Sequence, residues 1–525
     1  MRVEYDTPTY PQLGHVYPGD YYEALPFDDY IDKNQELPKG KSVFDIRDFG
    51  AKPEKDLLNT EAFFAAAKAC EKNGGGVILV AGGSYTMGTV YIPSHTTLFI
   101  APDSEIKASR NVELLLAKEK EQVDDRKGES SEGAFVRVKN VEDVTITGGG
   151  RINGSGEWYV YEPRELPSLK PFEVSRIPRR DQAKEINTVE GTIRYYYRQR
   201  IRYSEDKYGE GKPNLNRPAA LVWVQDSKNV TFENIVLYDS MSWTFHVENC
   251  DEVTVRNMVI DDNRHVANSD GVDITGSDNV IVDHCFISCA DDGIVVKNPI
   301  RTGRAMAHIH VKNCTVITVM NAFKIGTETA NDISDILVED CNFVMPDIYP
   351  GSVSGISLES CDGTHLSDVT IRNITMDQIV CPLYICLNKR NRYNEPYTEE
   401  VGANRYWGGS IENIRIENIH ATNAELPAIL TGYQTTKKDG TIVRRPLKNI
   451  TVNGYHVVYC DNKEIVEIPE QFDEFLEDYP ESNAHGDVDA YGIWARHVDG
   501  LLLEDIDVTP RSCNTREKIR LYDVQ

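Results

Sequence analysis

A seven-residue pattern recurs along most of the chain: polar, apolar, any, apolar, any, Asn or Asp (or a similar residue), apolar. Its copies are DVTITGG from Asp143, NVTFENI from Asn229, EVTVRNM from Glu252, NVIVDHC from Asn279 and HIHVKNC from His308. They continue with DILVEDC from Asp335, DVTIRNI from Asp368, NIRIENI from Asn413, NITVNGY from Asn449 and GLLLEDI from Gly500. Each copy alternates apolar and polar positions, the mark of a strand with one buried face. The starts from Asn229 to Asp335 lie 23 to 29 residues apart, and later ones are wider. A period in this range predicts a solenoid. No helical pattern separates the copies, so the expected fold is all-β, a parallel β-helix in which each coil stacks on the next. The wider spacings, such as Asp368 to Asn413, predict loops inserted on one side.

The first part of the chain departs from the repeat. After a short strand from Val43, NTEAFFAAAKACEK has helical periodicity from about Glu61 to Lys72, with Asn59 or Thr60 as the candidate cap and Gly74–Gly76 as the stop. This helix is expected to cover the open end of the first coil. Residues 1–41, rich in Pro and Tyr, read as an extended arm, and 42–525 as a single solenoid domain. Residues 160–217 interrupt the repeat with arginines and tyrosines, among them Arg176, Arg194, Tyr195 and Arg198. They are expected to form a lid over one end of a cleft. Their guanidinium groups suit a carboxylate and their rings a sugar face.

Acids recur in phase on two neighbouring coils. HVANSDGVDIT carries Asp270, and CFISCADDGIVVKN carries Asp291 and Asp292, about one coil later. Parallel stacking puts them roughly 5 Å apart along one side. Close carboxylates repel, which raises the pKa of at least one. A protonated acid beside an ionised one is what glycoside hydrolysis needs. Asp273 alternates away from Asp270. An Asp-Gly pair alone reads as a turn; three acids in phase read as a site.

Several stretches resemble glycoside hydrolase family 28, the polygalacturonase-like enzymes. They are FGA…NTEAFFAAAKAC…GGGVILV…GSYTMGTVYI, GRINGSGEWY from Gly150, WTFHVENCDEVTVRNMVI from Trp243, ANSDGVD and ADDGIVVK. The resemblance runs from about Val43 to about Asn388. It implies a right-handed β-helix and inverting hydrolysis without a metal or other cofactor. Asp291 would then be the general acid, and Asp270 and Asp292 would activate water. Two motifs depart from the family. Its Gly-His-Gly is MNAFKIGTET here, and its Arg-Ile-Lys, which grips a galacturonate carboxylate, is GISLES from Gly355. Lys324, Glu328 and Glu359 stand in this region. With Lys297 and His265 they are the candidate substrate-binding residues, while His246 is expected to make a structural hydrogen bond.

The expected activity is exo-acting hydrolysis of a pectin-derived or related uronate- or rhamnose-containing oligosaccharide. The alternatives are a β-helix polysaccharide lyase using Ca²⁺, and a carbohydrate-binding solenoid without catalysis. Lys and Arg number 56 against 83 Asp and Glu, a net charge of −27. That balance argues against nucleic acid or an anionic membrane as partner. No apolar run reaches the roughly 18 residues of a membrane span. The N-terminus lacks the apolar core of a secretory signal, so a cytoplasmic location is expected unless an export signal has been removed. The 11 cysteines form no CxxC pair. Cys285, Cys314 and Cys341 share the last apolar slot of the repeat and are expected to stack as buried thiols. A homo-oligomer is left open.

Overall fold

The polar first and sixth positions of the repeat are bends. In a computed structural model of the chain, the first position has φ between 52° and 59° at Asp143, Asn229, Glu252, Asn279, His308, Asp335, Asp368, Asn413 and Asn449. The sixth has φ between 48° and 59° at Asn234, Asn257, His284, Asn313, Asp340, Asn373, Asn418 and Asp505. Gly148, Gly454 and Gly500 complete the set with φ of 119°, 73° and 75°. Left-handed backbone is costly for most L-residues and least so for Gly, Asn and Asp. The polar signal in the sequence therefore marks where the chain turns a corner.

The structure describes residues 29–54, 57–115, 133–156, 217–262, 268–318, 320–344, 352–391, 406–459, 468–510 and 515–525. They group into two compact units. The first holds the described residues up to Asp291, and the second those from Asp292 onward. Residues 1–28 of the expected arm and 160–216 of the expected lid lie outside the described residues.

The first unit stacks three sets of parallel strands. One set runs through Val43–Asp45, Gly76–Val80, Thr96–Ile100, Glu142–Thr147, Lys228–Tyr238, Asp251–Asp261 and Asp278–Asp283. A second runs through Ser84–Met87, Glu105–Ala108 and Arg151–Asn153. It continues along the later halves of the two long strands to Phe286–Ser288. The third runs through Val90–Tyr91, Ala134–Lys139, Ala220–Gln225, Trp243–Glu248 and Val272–Thr275. The third set ends just after Asp270. The helix Thr60–Lys72 buries Phe63, Ala66, Ala67 and Cys70 and contacts the first strands. Neither expected cap bonds the helix. The Asn59 side chain accepts instead from the Lys52 amide at 2.8 Å, and the Thr60 hydroxyl from the Gly88 amide at 2.8 Å. Both side chains tie the helix to the coil beneath it.

The second unit stacks in the same way. Its first set is Ile294–Asn298, Asn321–Thr329, Ser352–Ser360, Ile379–Leu387, Ala428–Thr431, the early part of Ala490–Pro510, and Glu517–Val524. The repeat copies from His308 to Gly500 form the other two sets. Corner amides stack along them. Asn373 donates to Asp340 at 2.9 Å, Asn418 to Asn373 at 2.8 Å, Asn413 to Asp368 at 3.0 Å and Asn449 to Asn413 at 3.1 Å. Inside, Cys341 is in register with Ile374, Ile419 and Tyr455. Cys285, Cys314 and Cys341 are buried, and all nine described cysteines are free thiols. One feature breaks the parallel order, an antiparallel hairpin of Tyr433–Thr436 and Ile442–Arg445.

Candidate active site

In the first unit, two turns are pinned together. The Ala290 amide donates to both the carbonyl and the hydroxyl of buried Ser269, at 3.2 Å each. The Asp291 amide reaches the same carbonyl at 3.4 Å. This holds Asp291 against Asp270, and their nearest carboxylate oxygens lie within 4.8 Å. Asp270 is buried and Asp291 half-buried.

Behind Asp270 lies an acid that the sequence did not single out. The Thr244 amide donates to the Asp270 carbonyl at 2.9 Å, and the Thr244 hydroxyl bonds the Asp262 carboxyl. The other Asp262 oxygen accepts from the Ser240 amide at 2.8 Å. Burial pushes the Asp262 carboxyl well above the usual carboxylate range, and Asp239 and Asp261 add to it against the pull of these hydrogen bonds. His246 is buried, stacked on Trp223 with ring centroids 5.4 Å apart, and its Nε2 lies 3.2 Å from the Thr275 hydroxyl. That is the structural bond expected of it. Asp273 is in register with His246 and fully buried. His265 lies outside the described residues.

Asp292 follows Asp291 across one peptide bond and opens the second unit. Its Oδ1 accepts from the amide of Asn321 at 3.3 Å and from the Asn321 side chain at 2.7 Å. Its Oδ2 lies 3.5 Å from Lys324 Nζ. Lys324 is also 3.7 Å from Glu359 and 3.3 Å from Glu481. Burial disfavours its ammonium, yet these three acids outweigh that and raise its pKa well above the usual lysine value. The Glu359 carboxyl is pushed up to about 8 by burial, against the pull of Lys324. The Ser357 hydroxyl donates to it at 2.7 Å. Glu481 is raised for the same reason. Lys324 is 1 % exposed and Glu359 0 %, so both are buried among these side chains.

The strand register explains this seat. Pairing jumps from Val296↔Ile325 to Asn298↔Thr329, so residues 326–328 bulge opposite Lys297. A side chain at Gly326 (φ 136°) would meet Glu359 Oε2 at 2.7 Å. Glycine there makes room for the acid. Lys297 and Glu328 are both buried beside this bulge. Glu328 helps hold the Arg390 guanidinium charged, after the larger pull of Asp362. Arg390 bonds Asp362 and donates to the Thr327 carbonyl at 2.8 Å.

Sequence reasoning missed Glu481, Tyr479, Asn321 and Arg390. Asn321 was visible as part of the stretch that lacks the family's histidine. Glu481 carried no signal, because it lies 157 residues from Lys324. It arrives on a segment outside the repeat. The Tyr479 hydroxyl accepts from Thr327 at 3.1 Å, and its ring lies 5.5 Å from Lys324 Nζ.

The profile of Glycosyl hydrolases family 28 matches residues 198–466, just over half of the sequence. The chain belongs to glycosyl hydrolases family 28. It is therefore a polygalacturonase-like hydrolase of O-glycosidic bonds with a saccharide substrate, which sets aside the lyase and non-catalytic alternatives. A probable polygalacturonase of Vitis vinifera is 22 % identical over 422 residues, covering 77 % of this chain and 73 % of that one. The exopolygalacturonase of Thermotoga maritima matches with TM-score 0.59 and 16 % identity, over 91 % of this chain and 94 % of its own. The family 28 exopolygalacturonase of Yersinia enterocolitica matches with TM-score 0.62 and 15 % identity, over 92 % and 77 %. These likenesses establish the fold as a right-handed parallel β-helix with an N-terminal helix.

Proposed function

We propose that this family 28 hydrolase acts from a chain end and with inversion. It releases a monosaccharide from a pectin-derived or related uronate- or rhamnose-containing oligosaccharide. The observation that carries the end-directed reading is the segment running from Phe472 to His485. Leu476 and Asp478 accept through their carbonyls from Lys389 and Asn388 at 2.8 and 3.0 Å. Ser482 is hydrogen-bonded to Ser354 at 3.0 Å, and His485 lies 3.0 Å from the Tyr384 hydroxyl. Phe472 packs edge-on against Trp494. The segment thus occupies the outward face of the strands that follow Asp292, where a polymer running through an open groove would lie.

In this reading Asp291 gives its proton to the glycosidic oxygen as that oxygen leaves. Asp270 and Asp292 take a proton from water, whose oxygen bonds the anomeric carbon from the opposite face. The close approach of Asp270 and Asp291 does not fix the stereochemistry, since retaining pairs stand about 5 Å apart and inverting pairs wider. Inversion rests on family membership. The test is a screen of pectic, rhamnogalacturonan and neutral oligosaccharides, with products followed by mass and by anomeric proton signals from the first turnover. Monosaccharide as the sole early product, in the inverted configuration, supports the reading. Random internal products sink the end-directed part, and retained configuration sinks the inverting part.

A further inference from the structure

Lys324 has the composition of a substrate clamp but the placement of an internal strut. Its ammonium is almost wholly buried and lies within 4 Å of three carboxylates. A charge so enclosed acts on its neighbours and not on a ligand. One neighbour is Asp292, whose two oxygens are held by different groups, Asn321 on one and Lys324 on the other. Two separate anchors fix the plane of a carboxylate, whereas one leaves it free to rotate.

Lys324 in turn needs holding, because a lysine has four rotatable carbons and keeps one position only where its surroundings demand it. Glu481 supplies the nearest acid, at 3.3 Å. The backbone that carries Glu481 is itself fastened. The neighbouring Ser482 hydroxyl donates to the Val353 carbonyl at 3.1 Å and pairs with Ser354. The Asp478 carbonyl is bonded to Asn388. Glu481 is thus presented at a defined point above strand Asn321–Thr329.

We propose that Lys324 and Glu481 are positioning residues for Asp292. Glu481 fixes the ammonium, and the ammonium fixes the orientation of the carboxylate that accepts a proton from water. This rests on the reading of Asp292 given above. Glu359, buried on the other side of Lys324, completes the enclosure.

The test uses the full chain and the oligosaccharide that the wild type cleaves best, with Glu481→Gln, Lys324→Arg, Lys324→Met and Asp292→Asn. Glu481→Gln is expected to lower kcat by about 10- to 100-fold with KM within about twofold, the split that marks an interaction outside substrate binding. Lys324→Arg should retain more activity than Lys324→Met. Should Lys324→Met fail to fold, Glu481→Gln decides, with its melting point checked against the wild type. A folded Glu481→Gln with unchanged kcat overturns the proposal. So does a raised KM at unchanged kcat, which would make the segment a substrate contact. Asp292→Asn separates the two readings. Retained turnover there refutes the role of Asp292, whereas lost turnover with Glu481→Gln unaffected refutes only the positioning pair.

Discussion

Asp262 in the first unit and Asp292 in the second are both buried acids beside a candidate catalytic turn, and they are accommodated in opposite ways. Asp262 is surrounded by a hydroxyl, an amide and two further acids. Burial raises its pKa and so disfavours its charged form. Asp292 has an amide pair on one oxygen and an ammonium on the other. Burying an unpaired charge costs several kcal/mol, so a protein either neutralises the acid or pairs it. The first unit favours the neutral form of the acid behind Asp270. The second pairs the acid proposed to do chemistry with the Lys324 ammonium.

The largest test of this contrast is activity. Asp270→Asn and Asp291→Asn keep the shape of each side chain and remove its proton chemistry. Each is expected to lower kcat by about 10²- to 10⁴-fold, with the melting point close to wild type. Asp262→Asn, by contrast, alters a group behind the site whose charged form burial already disfavours, and should lose far less. Equal losses from all three would erase the distinction between the chemical and the supporting acids.

The next test is the pH dependence of stability. Burial raises the folded-state pKa of Glu359 to about 8, above the unfolded value near 4.3. The folded chain therefore keeps a proton that the unfolded chain releases. This contribution is fully present below about pH 4 and is lost as pH rises toward about 8. Asp262 acts in the same direction. Glu359→Gln and Asp262→Asn should each flatten the decline in melting point between about pH 5 and about pH 8, by a few degrees. Thermal unfolding across that range measures it. A steeper decline in either variant would mean that the acid is ionised and paired in the fold.

The smallest effect is expected away from the site. Asn413 sits at φ 58° and bonds both Asp368 and Asn449. Asn413→Ala should cost about 1–2 kcal/mol in denaturant unfolding, since alanine is strained in left-handed backbone. Asn413→Gly should cost less, and neither should alter kcat. An alanine variant as stable as the glycine variant would show that the corner amides matter through their ladder and not through their backbone.

The repeat was legible because its determinants are local. A left-handed corner accepts few residue types, and an inward strand face must be apolar, so each coil writes the same signature wherever it occurs. Asp270 and Asp291 were legible for the same reason, since stacking in phase brings equivalent positions together. The helix Thr60–Lys72 was visible from its periodicity, though its start is fastened by tertiary bonds instead of the expected cap. The depth at which Lys324 and Glu359 lie was not legible, because residue type does not reveal burial.

By itself the sequence determined the coils, their corners, the stacked cysteines and the in-phase acids. Only the tertiary structure decided that Lys324 is enclosed by Asp292, Glu359 and Glu481, and that burial raises the pKa of Asp262. The reason is physical. Coil geometry follows from backbone preferences of residues close together in the chain, whereas the charge state of a buried acid depends on whichever groups the fold brings beside it. Glu481 reaches Lys324 across 157 residues, on a segment whose own sequence follows no repeat.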